Sequence, residues 1–249
     1  MKRFGGKICL VTGAATGIGE ATALRLAQEG GKVACLDIDL PGAEGTAKAC
    51  QKHEVDAIAV HCDVGSEEAV KAAVAQVVEH FGQLDVVCNI AGILRTCHTH
   101  EMSLELWDTI IRINLTGTFL MCREVLPHLM GRRGVIVNMS STAAVGSHPW
   151  MAAYAASKGG VTSMTRALSL EYIRHKVRIN AVIPGGIMTS MHSHFTMPEG
   201  GNPELLKGAM PHIRMAGPDR CASVVAFLAS DDAKYIHGTE IRVDGGALS

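Results

Sequence analysis

Residues 7–19 read KICLVTGAATGIG, an apolar run that passes directly into a turn with glycines at positions 13, 17 and 19. A helical pattern follows at once, from Gly17 to about Glu29. Glycine lets such a turn be tight, and it lets the backbone approach a pyrophosphate at a helix N-terminus, where N–H groups and the helix dipole favour negative charge. The stretch therefore predicts a dinucleotide site, with cofactor-binding residues Gly13, Thr16, Gly17, Ile18 and Gly19.

Short apolar runs alternate with helical patterns along the rest of the chain. Strands are predicted at residues 7–12, 33–37, 57–62, 86–89, 135–139, 178–183 and 240–243, and helices at 17–29, 42–53, 67–80, 104–130, 152–175 and 219–229. Apolar strands joined by helix-length connections indicate a parallel sheet covered on both faces. We predict an α/β fold with a doubly wound parallel sheet of about seven strands, in one domain over residues 1–249. The irregular segment at roughly 186–218 is predicted to be a lid over the binding site.

Composition excludes several function classes. The 249 residues are 47% hydrophobic and 19% charged, which is typical of a globular protein. The formal net charge of −1 gives no basic footprint for nucleic acid or an anionic membrane. The eight cysteines contain no Cys-x-x-Cys pair and predict reduced thiols. No apolar run is long enough for a signal peptide or a membrane span, so we expect a cytoplasmic protein.

The predicted strands end in polar and small residues. Asp37 ends the second strand, where a carboxylate can accept both adenosine-ribose hydroxyls of NAD. The 2′-phosphate of NADP would be repelled there by roughly 4 kcal/mol at 4 Å and an effective dielectric of 20. Thr16 and Ile38 supply no base to offset this repulsion, so NAD is predicted over NADP. Other cofactor-binding residues predicted at the strand ends are Ile38, Cys62, Asp63, Val64, Asn89, Ala91 and Gly92, with Asp63 directed to the adenine amino group.

Tyr154 and Lys158 lie four residues apart in the helical segment YAASK. This spacing is close to one helical turn, so both side chains project from the same face. A phenol titrates near pH 10, and a neighbouring ammonium group favours the phenolate and lowers that pKa. The pair therefore predicts an acid/base group that works near neutral pH.

With these motifs in order, the chain resembles the short-chain dehydrogenase/reductase family, in its single-domain branch of about 250 residues, over essentially its whole length. The resemblance implies a Rossmann-like fold and a catalytic set of Asn114, Ser141, Tyr154 and Lys158. Ser141 is preferred to Ser140 because it precedes Tyr154 by thirteen residues. In the family, the tyrosine exchanges a proton with the substrate oxygen and the serine donates a hydrogen bond to that oxygen. The lysine binds the nicotinamide ribose, and the asparagine fixes a local helix distortion and a water.

Two further groups of residues follow from the resemblance. The segment PGGIMT at 184–189 matches the part of the family that holds the nicotinamide carboxamide, which implies cofactor contacts from Pro184, Gly185, Ile187 and Thr189. The substrate is expected to meet Leu94, Ala143, Trp150, Gly186 and Met191. Because this region is rich in apolar side chains, a hydrophobic alcohol or ketone is favoured.

The expected function is an NAD-dependent oxidoreductase that interconverts a secondary alcohol and its ketone. An alternative in the same family is a 3-oxoacyl-(acyl carrier protein) reductase, and an alternative of another class is a non-catalytic, dinucleotide-sensing regulator. The two long helices carry more apolar positions than packing against one sheet face needs. This excess, together with the usual assembly of the family, implies a homotetramer. The histidine pairs in His98-Thr99-His100 and His192-Ser193-His194 come with no nearby cluster of Cys or carboxylates at ligand spacing, so no metal site is predicted.

Overall fold

The computed structural model describes residues 2–191 and 195–249. The strands are β1 (Ile8–Thr12), β2 (Lys32–Asp37), β3 (Ala57–His61), β4 (Val86–Asn89), β5 (Val135–Met139), β6 (Arg178–Pro184) and β7 (Glu240–Val243). The α-helices are α1 (Gly17–Gln28), α2 (Leu40–Gln51), α3 (Glu67–Phe81), α4 (Leu104–Ile111), α5 (Gly117–Leu129), α6 (Ala152–Tyr172) and α7 (Pro218–Ala229). Every predicted strand is present, with its ends shifted by one residue at most.

The seven strands form one parallel sheet in the order β3-β2-β1-β4-β5-β6-β7. One apolar core lies under α1, α2 and α7, and a second lies on the opposite face under α3 and α5, with α6 packed beside it. The doubly wound fold predicted from the sequence is confirmed. The strand order reverses between β1 and β4, which is where open α/β sheets bind ligands.

The predicted helix at 104–130 is not continuous. It is α4, a π-helical turn at Arg112–Thr116, and α5. A π-turn inserts extra backbone into a helix and is frequent at functional sites, and Asn114 lies in the middle of this one. The predicted helix at 152–175 also changes type, since α6 ends at Tyr172 and a 3₁₀ turn follows at Ile173–His175.

The lid segment, roughly residues 186–218, follows β6, and its role as a lid stays a prediction. Ile187 forms an isolated parallel bridge with Ala216, and a 3₁₀ helix runs over Pro203–Ala209. His192, Ser193 and His194 lie outside the described residues. Among the residues that the structure describes, no helix is both long and apolar enough to cross a lipid bilayer.

Candidate active site

The glycine turn forms a cradle at the carboxyl end of β1. Gly13 has φ +68°, and a Cβ placed on it would lie 2.9 Å from the backbone of Ala91. A Cβ on Gly19 would overlap the carbonyl oxygen of Gly13. The side chain of Thr16, the N-cap of α1, bonds none of the first N–H groups of this helix, so these groups keep their capacity to bind an anion. The turn therefore fits a dinucleotide pyrophosphate, with Ile18 packed against the core below it.

The residues that follow β2 and β3 supply carboxylates to the same edge. The Oδ2 atom of Asp37 accepts the N–H of Ala15 at 2.9 Å, and its Oδ1 accepts the N–H of Asp39 at 3.0 Å. These bonds fix the carboxylate beside the glycine turn, while Ile38 is exposed. Asp63 accepts the N–H of Gly65 at 2.8 Å and lies 3.6 Å from Arg112.

Two of the predicted cofactor residues turn their side chains inward. The amide nitrogen of Asn89 donates to Asn138 at 2.9 Å, and Cys62 is buried in the core below β3. Contacts of these two positions with a cofactor would therefore come from the backbone, and their place in the cofactor site stays a prediction. Val64 is also buried and packs beside Gly117.

The turn after β4 is held in place by a side chain of β1. The hydroxyl of Thr12 accepts the N–H groups of Ile90 at 3.0 Å and Ala91 at 3.2 Å. A Cβ on Gly92 would lie 3.0 Å from Asn114 Oδ1 and 3.3 Å from Lys158 Nζ. A small residue at position 92 therefore lets these two polar side chains approach the edge of the sheet.

Asn114 is fully buried in the π-turn. Its Oδ1 accepts the N–H of Ile93 at 2.8 Å, and its Nδ2 donates to the carbonyl of Ile93 at 2.9 Å and to Ser157 Oγ at 3.1 Å. The carbonyl of Asn114 accepts the hydroxyl of Thr118 at 2.7 Å. The side chain thus joins the π-turn to both the loop after β4 and α6, beside the predicted acid/base.

Ser140 and Ser141 face different ways at the end of β5. The hydroxyl of Ser140 donates to the carbonyl of Lys158 at 3.1 Å and lies 2.7 Å from the hydroxyl of Thr162. Both partners belong to α6, so this hydroxyl is directed to the helix. Ser141 Oγ accepts the N–H of Ala143 at 3.2 Å and also hydrogen-bonds Tyr154. This geometry favours Ser141 as the serine of the site.

The structure reverses the predicted direction of the Tyr154 pKa. Burial raises this pKa above 10.0 and outweighs the Ser141 hydrogen bond, which lowers it. The Nζ atom of Lys158 is 5.9 Å from the centre of the tyrosine ring, and it donates to the carbonyl of Met139 at 2.8 Å. Burial also lowers the pKa of Lys158, from 10.5 to about 8. Desolvation disfavours the charged forms of both side chains.

The segment after β6 returns to the glycine turn. The bridge between Ile187 and Ala216 uses the carbonyl of Gly186 and the N–H of Met188. Backbone groups alternate in direction along an extended segment, so those of Ile187 point away from Ala216 and can serve a ligand. A Cβ on Gly17 would lie 3.2 Å from Thr189. A cavity of about 740 Å³ adjoins Gly17 and Thr189 without reaching Tyr154.

The predicted substrate residues divide into two groups. Leu94 and Ala143 share a buried apolar cluster with Tyr154, and Met191 packs against it. Trp150 lies at the rim, with its ring near His98 and Gly201. Gly186 faces the lid, where a Cβ on it would lie 3.1 Å from Pro211. Behind it, Pro184 ends β6, and the N–H of Gly185 donates to the carbonyl of Val243.

The sequence did not predict the side-chain contacts of Arg112, Thr96 and His98. Arg112 is separated from Asp63 by 49 positions, so no local pattern links them. Thr96 and His98 use side chains to bind the backbone of the lid, and such pairing leaves no mark in the sequence. Within the described ranges, no three His, Cys, Asp or Glu side chains converge as metal ligands. That the protein needs no metal stays a prediction.

Comparisons with known proteins agree on one family. A family model described as enoyl-(acyl carrier protein) reductase matches residues 13–247. The chain is 39% identical over 246 residues to a D-threitol dehydrogenase of Mycolicibacterium smegmatis, across 98% of this chain and 94% of the relative. It is 38% identical to a 3-oxoacyl-(acyl-carrier-protein) reductase of Thermotoga maritima, across 99% of both. A crystal structure of a short-chain dehydrogenase from Mycobacterium paratuberculosis bound to NAD has a TM-score of 0.93 at 28% identity, over 98% of each chain.

The chain therefore belongs to the short-chain dehydrogenase/reductase family. The predictions of an oxidoreductase and of a nicotinamide dinucleotide cofactor are confirmed.

Proposed function

We propose that the protein interconverts a secondary alcohol and its ketone, with NAD as hydride carrier and Tyr154 as the group that exchanges the proton. One observation carries this proposal. Ser141 lies against the phenol of Tyr154 and lowers its pKa through a hydrogen bond, and Tyr154 shares a buried apolar cluster with Leu94 and Ala143. Two hydroxyls in an apolar wall give a substrate oxygen both a proton-exchange partner and a hydrogen-bond donor.

The bound cofactor supplies the hydride acceptor or donor and, when oxidised, a positive charge. Tyr154 takes the proton of the substrate hydroxyl during oxidation and returns it to the carbonyl oxygen during reduction. Its burial favours the neutral phenol, which is the form that donates in reduction. Oxidation needs the phenolate, so we expect alcohol oxidation to speed up as pH rises and ketone reduction to slow down.

Ser141 holds the substrate oxygen. Because its Oγ accepts the N–H of Ala143, its orientation is fixed before substrate arrives. Its O–H can then donate to the oxygen on which negative charge develops.

Lys158 binds the nicotinamide ribose. One of its three N–H groups bonds Met139, which leaves two for the ribose hydroxyls. Asn114 fixes the loop beside this lysine through Ile93.

NAD is the proposed cofactor, in preference to NADP. The carboxylate of Asp37 is held by two backbone N–H groups at the place predicted for the adenosine ribose. Position 16 is threonine and position 38 isoleucine, so neither provides a cation for a 2′-phosphate. The same two features weigh against a 3-oxoacyl-(acyl carrier protein) reductase, the alternative that one of the relatives supports.

The proposed substrate is an apolar alcohol. The wall around Tyr154 consists of Leu94, Ile110, Ala143 and Met151, with Phe195 packed against it. Such a wall favours burial of hydrocarbon next to the reacting carbon.

The proposed assembly is a homotetramer. Apolar side chains remain exposed on α4 (Leu104), α5 (Phe119) and the end of α6 (Leu170), the helices expected to meet other subunits. One domain over residues 1–249 and a cytoplasmic location stay predictions from the sequence.

A panel of secondary alcohols with NAD⁺, followed by the absorbance of the reduced cofactor, tests the proposal. We expect turnover of at least one apolar secondary alcohol, with NADP⁺ used at least tenfold less well. Binding of NAD without turnover of any alcohol or ketone, in either direction, would favour the dinucleotide-sensing regulator instead.

A further inference from the structure

Two side chains of the loop after β4 bind the backbone of the lid. The hydroxyl of Thr96 donates to the carbonyl oxygen of Thr196 at 2.5 Å. The Nε2 atom of His98 lies 2.9 Å from the carbonyl oxygen of Glu199, which can only accept, so the imidazole donates from Nε2. These contacts join residues 96–98 to residues 196–199, about a hundred positions later in the chain.

Trp150 joins the same two segments from a third direction. Its carbonyl accepts the N–H of Cys97 at 3.0 Å, and its ring lies edge-on to the ring of His98, with 6.5 Å between centres. On its other side, a Cβ on Gly201 would lie 2.9 Å from Trp150 Cζ2. Trp150 has φ +63°, in the left-handed region that an L-residue with a bulky side chain rarely adopts. Such a conformation persists only where surrounding contacts hold it, and strained residues of this kind cluster at functional sites.

Each of these segments adjoins the apolar cluster around Tyr154. Leu94 and Met151 are buried members of that cluster, and Phe195 packs against it. Leu94 leads into Thr96 and His98, Met151 follows Trp150, and Phe195 precedes Thr196. The contacts between segments therefore lie directly outside the wall that faces the substrate.

We propose that Thr96, His98 and Trp150 form a clamp that holds residues 196–201 closed against this wall and so limits the size of the alcohol accepted. The three are positioning residues, because they act through Phe195 and Met151. This inference rests on the proposed function, since it concerns the substrate pocket of the same site.

The clamp is tested with the double variant Thr96→Val/His98→Ala, which removes both donors to the lid. Opening of residues 196–201 should expose Phe195, so chymotrypsin cleavage after Phe195 should quicken at least fivefold. The ratio of kcat/KM for 1-cyclohexylethanol to that for 2-butanol should rise at least fivefold, mainly through KM. The affinity for NAD should stay within twofold, which a general loss of structure would not allow.

Two matched variants define the controls. Thr96→Ser keeps the donor and should be cleaved at the wild-type rate. Thr99→Val makes the same chemical change as Thr96→Val at an exposed side chain and should leave cleavage unaltered. If the double variant does not fold, Thr96→Val alone carries the test, with at least a twofold faster cleavage expected.

A cleavage rate and a size ratio that both stay at wild-type values would overturn the clamp. Faster cleavage with an unchanged ratio would overturn its role in size selection. If the wild type oxidised neither alcohol, the proposed function would be in doubt, while cleavage would still decide whether the clamp exists.

Discussion

At the scale of single residues, Tyr154 and Lys158 show how burial alters a motif. Their spacing predicted an ammonium that lowers the pKa of the phenol. In the fold both side chains are buried, and desolvation raises the pKa of Tyr154 and lowers that of Lys158 to about 8. The ammonium is directed to the carbonyl of Met139, not to the phenol oxygen. The motif predicted where the pair lies, but the burial of the two side chains determines the direction of their pKa shifts.

Lys158 makes the stability of the protein depend on pH. Its folded pKa of about 8 lies below the ordinary 10.5, so the unfolded chain binds more protons between these values and stability rises with pH across them. Relative to Lys158→Met, the wild type should gain about 3 kcal/mol of unfolding free energy from pH 7 to pH 10.5, at about 1.4 kcal/mol per pH unit. Urea unfolding at several pH values measures the difference. A difference that does not change with pH would contradict the prediction, and Lys234→Met controls for loss of an exposed positive charge.

Asp37 should set the cofactor preference. Replacing it with serine removes the charge that repels a 2′-phosphate, so kcat/KM with NADP should rise at least tenfold while that with NAD falls. Steady-state kinetics with both cofactors provide the measurement. Asp39→Ser is the matched control, because it removes the same charge two positions away. In the wild type, Asp39 accepts the N–H of Gly42 and so caps α2. An NADP/NAD ratio that moves equally in both variants would reject the role of Asp37.

The sequence predicted those site residues that lie within short motifs. The glycine turn, Asp37, Ser141, Tyr154 and Lys158 all sit in local patterns, and the fold brings them to one edge of the sheet. The inward rotation of Asn89 and the left-handed backbone of Trp150 depend on packing between distant segments. No pattern of neighbouring residues encodes such packing.

At the scale of elements, the interrupted helix is the clearest departure from prediction. Apolar periodicity runs through residues 104–130, so a continuous helix was expected. The π-turn at Arg112–Thr116 arises where Asn114 bonds both backbone groups of Ile93 and the hydroxyl of Ser157. Those partners lie in other elements, so periodicity within the helix could not reveal the interruption, although the family resemblance implied a distortion there.

Asn114→Ala should destabilise the protein and slow catalysis. The change leaves the half-buried N–H and C=O of Ile93 without their side-chain partner, so the unfolding free energy should fall by about 2 kcal/mol. The turnover number should fall more than NAD affinity, because the loop beside Lys158 loses its anchor. Denaturant unfolding and single-turnover kinetics measure the two effects. Asn202→Ala removes an exposed N-cap and should lower the unfolding free energy by only about 1 kcal/mol. Equal losses in the two variants would contradict the anchoring role of Asn114.

At the scale of the whole molecule, the alternation of strands and helices was enough to predict the sheet. Parallel strands need helix-length connections, and the chain provides one between each successive pair. The path of the lid was not predictable, because its contacts with residues 94–98, Trp150 and the C-terminal Gly245 come from far along the sequence.

The exposed apolar side chains of α4 to α6 predict a tetramer. Leu170 is 74% exposed and Leu104 is 73% exposed, so both side chains are available to pack against another subunit. Size-exclusion chromatography with light scattering should give four times the mass of one chain, and Leu170→Lys combined with Phe119→Lys should lower it. A wild-type monomer, or a tetramer untouched by both substitutions, would place the contacts elsewhere.

The central claim is that the hydroxyl of Tyr154 moves the proton while hydride is transferred. Turnover of Tyr154→Phe, measured together with its NAD affinity by calorimetry, tests this most directly. We expect turnover to fall by at least a hundredfold, within the usual contribution of general acid–base catalysis, with NAD bound within about threefold of wild type. Turnover within tenfold of wild type, with NAD still bound, would contradict the account.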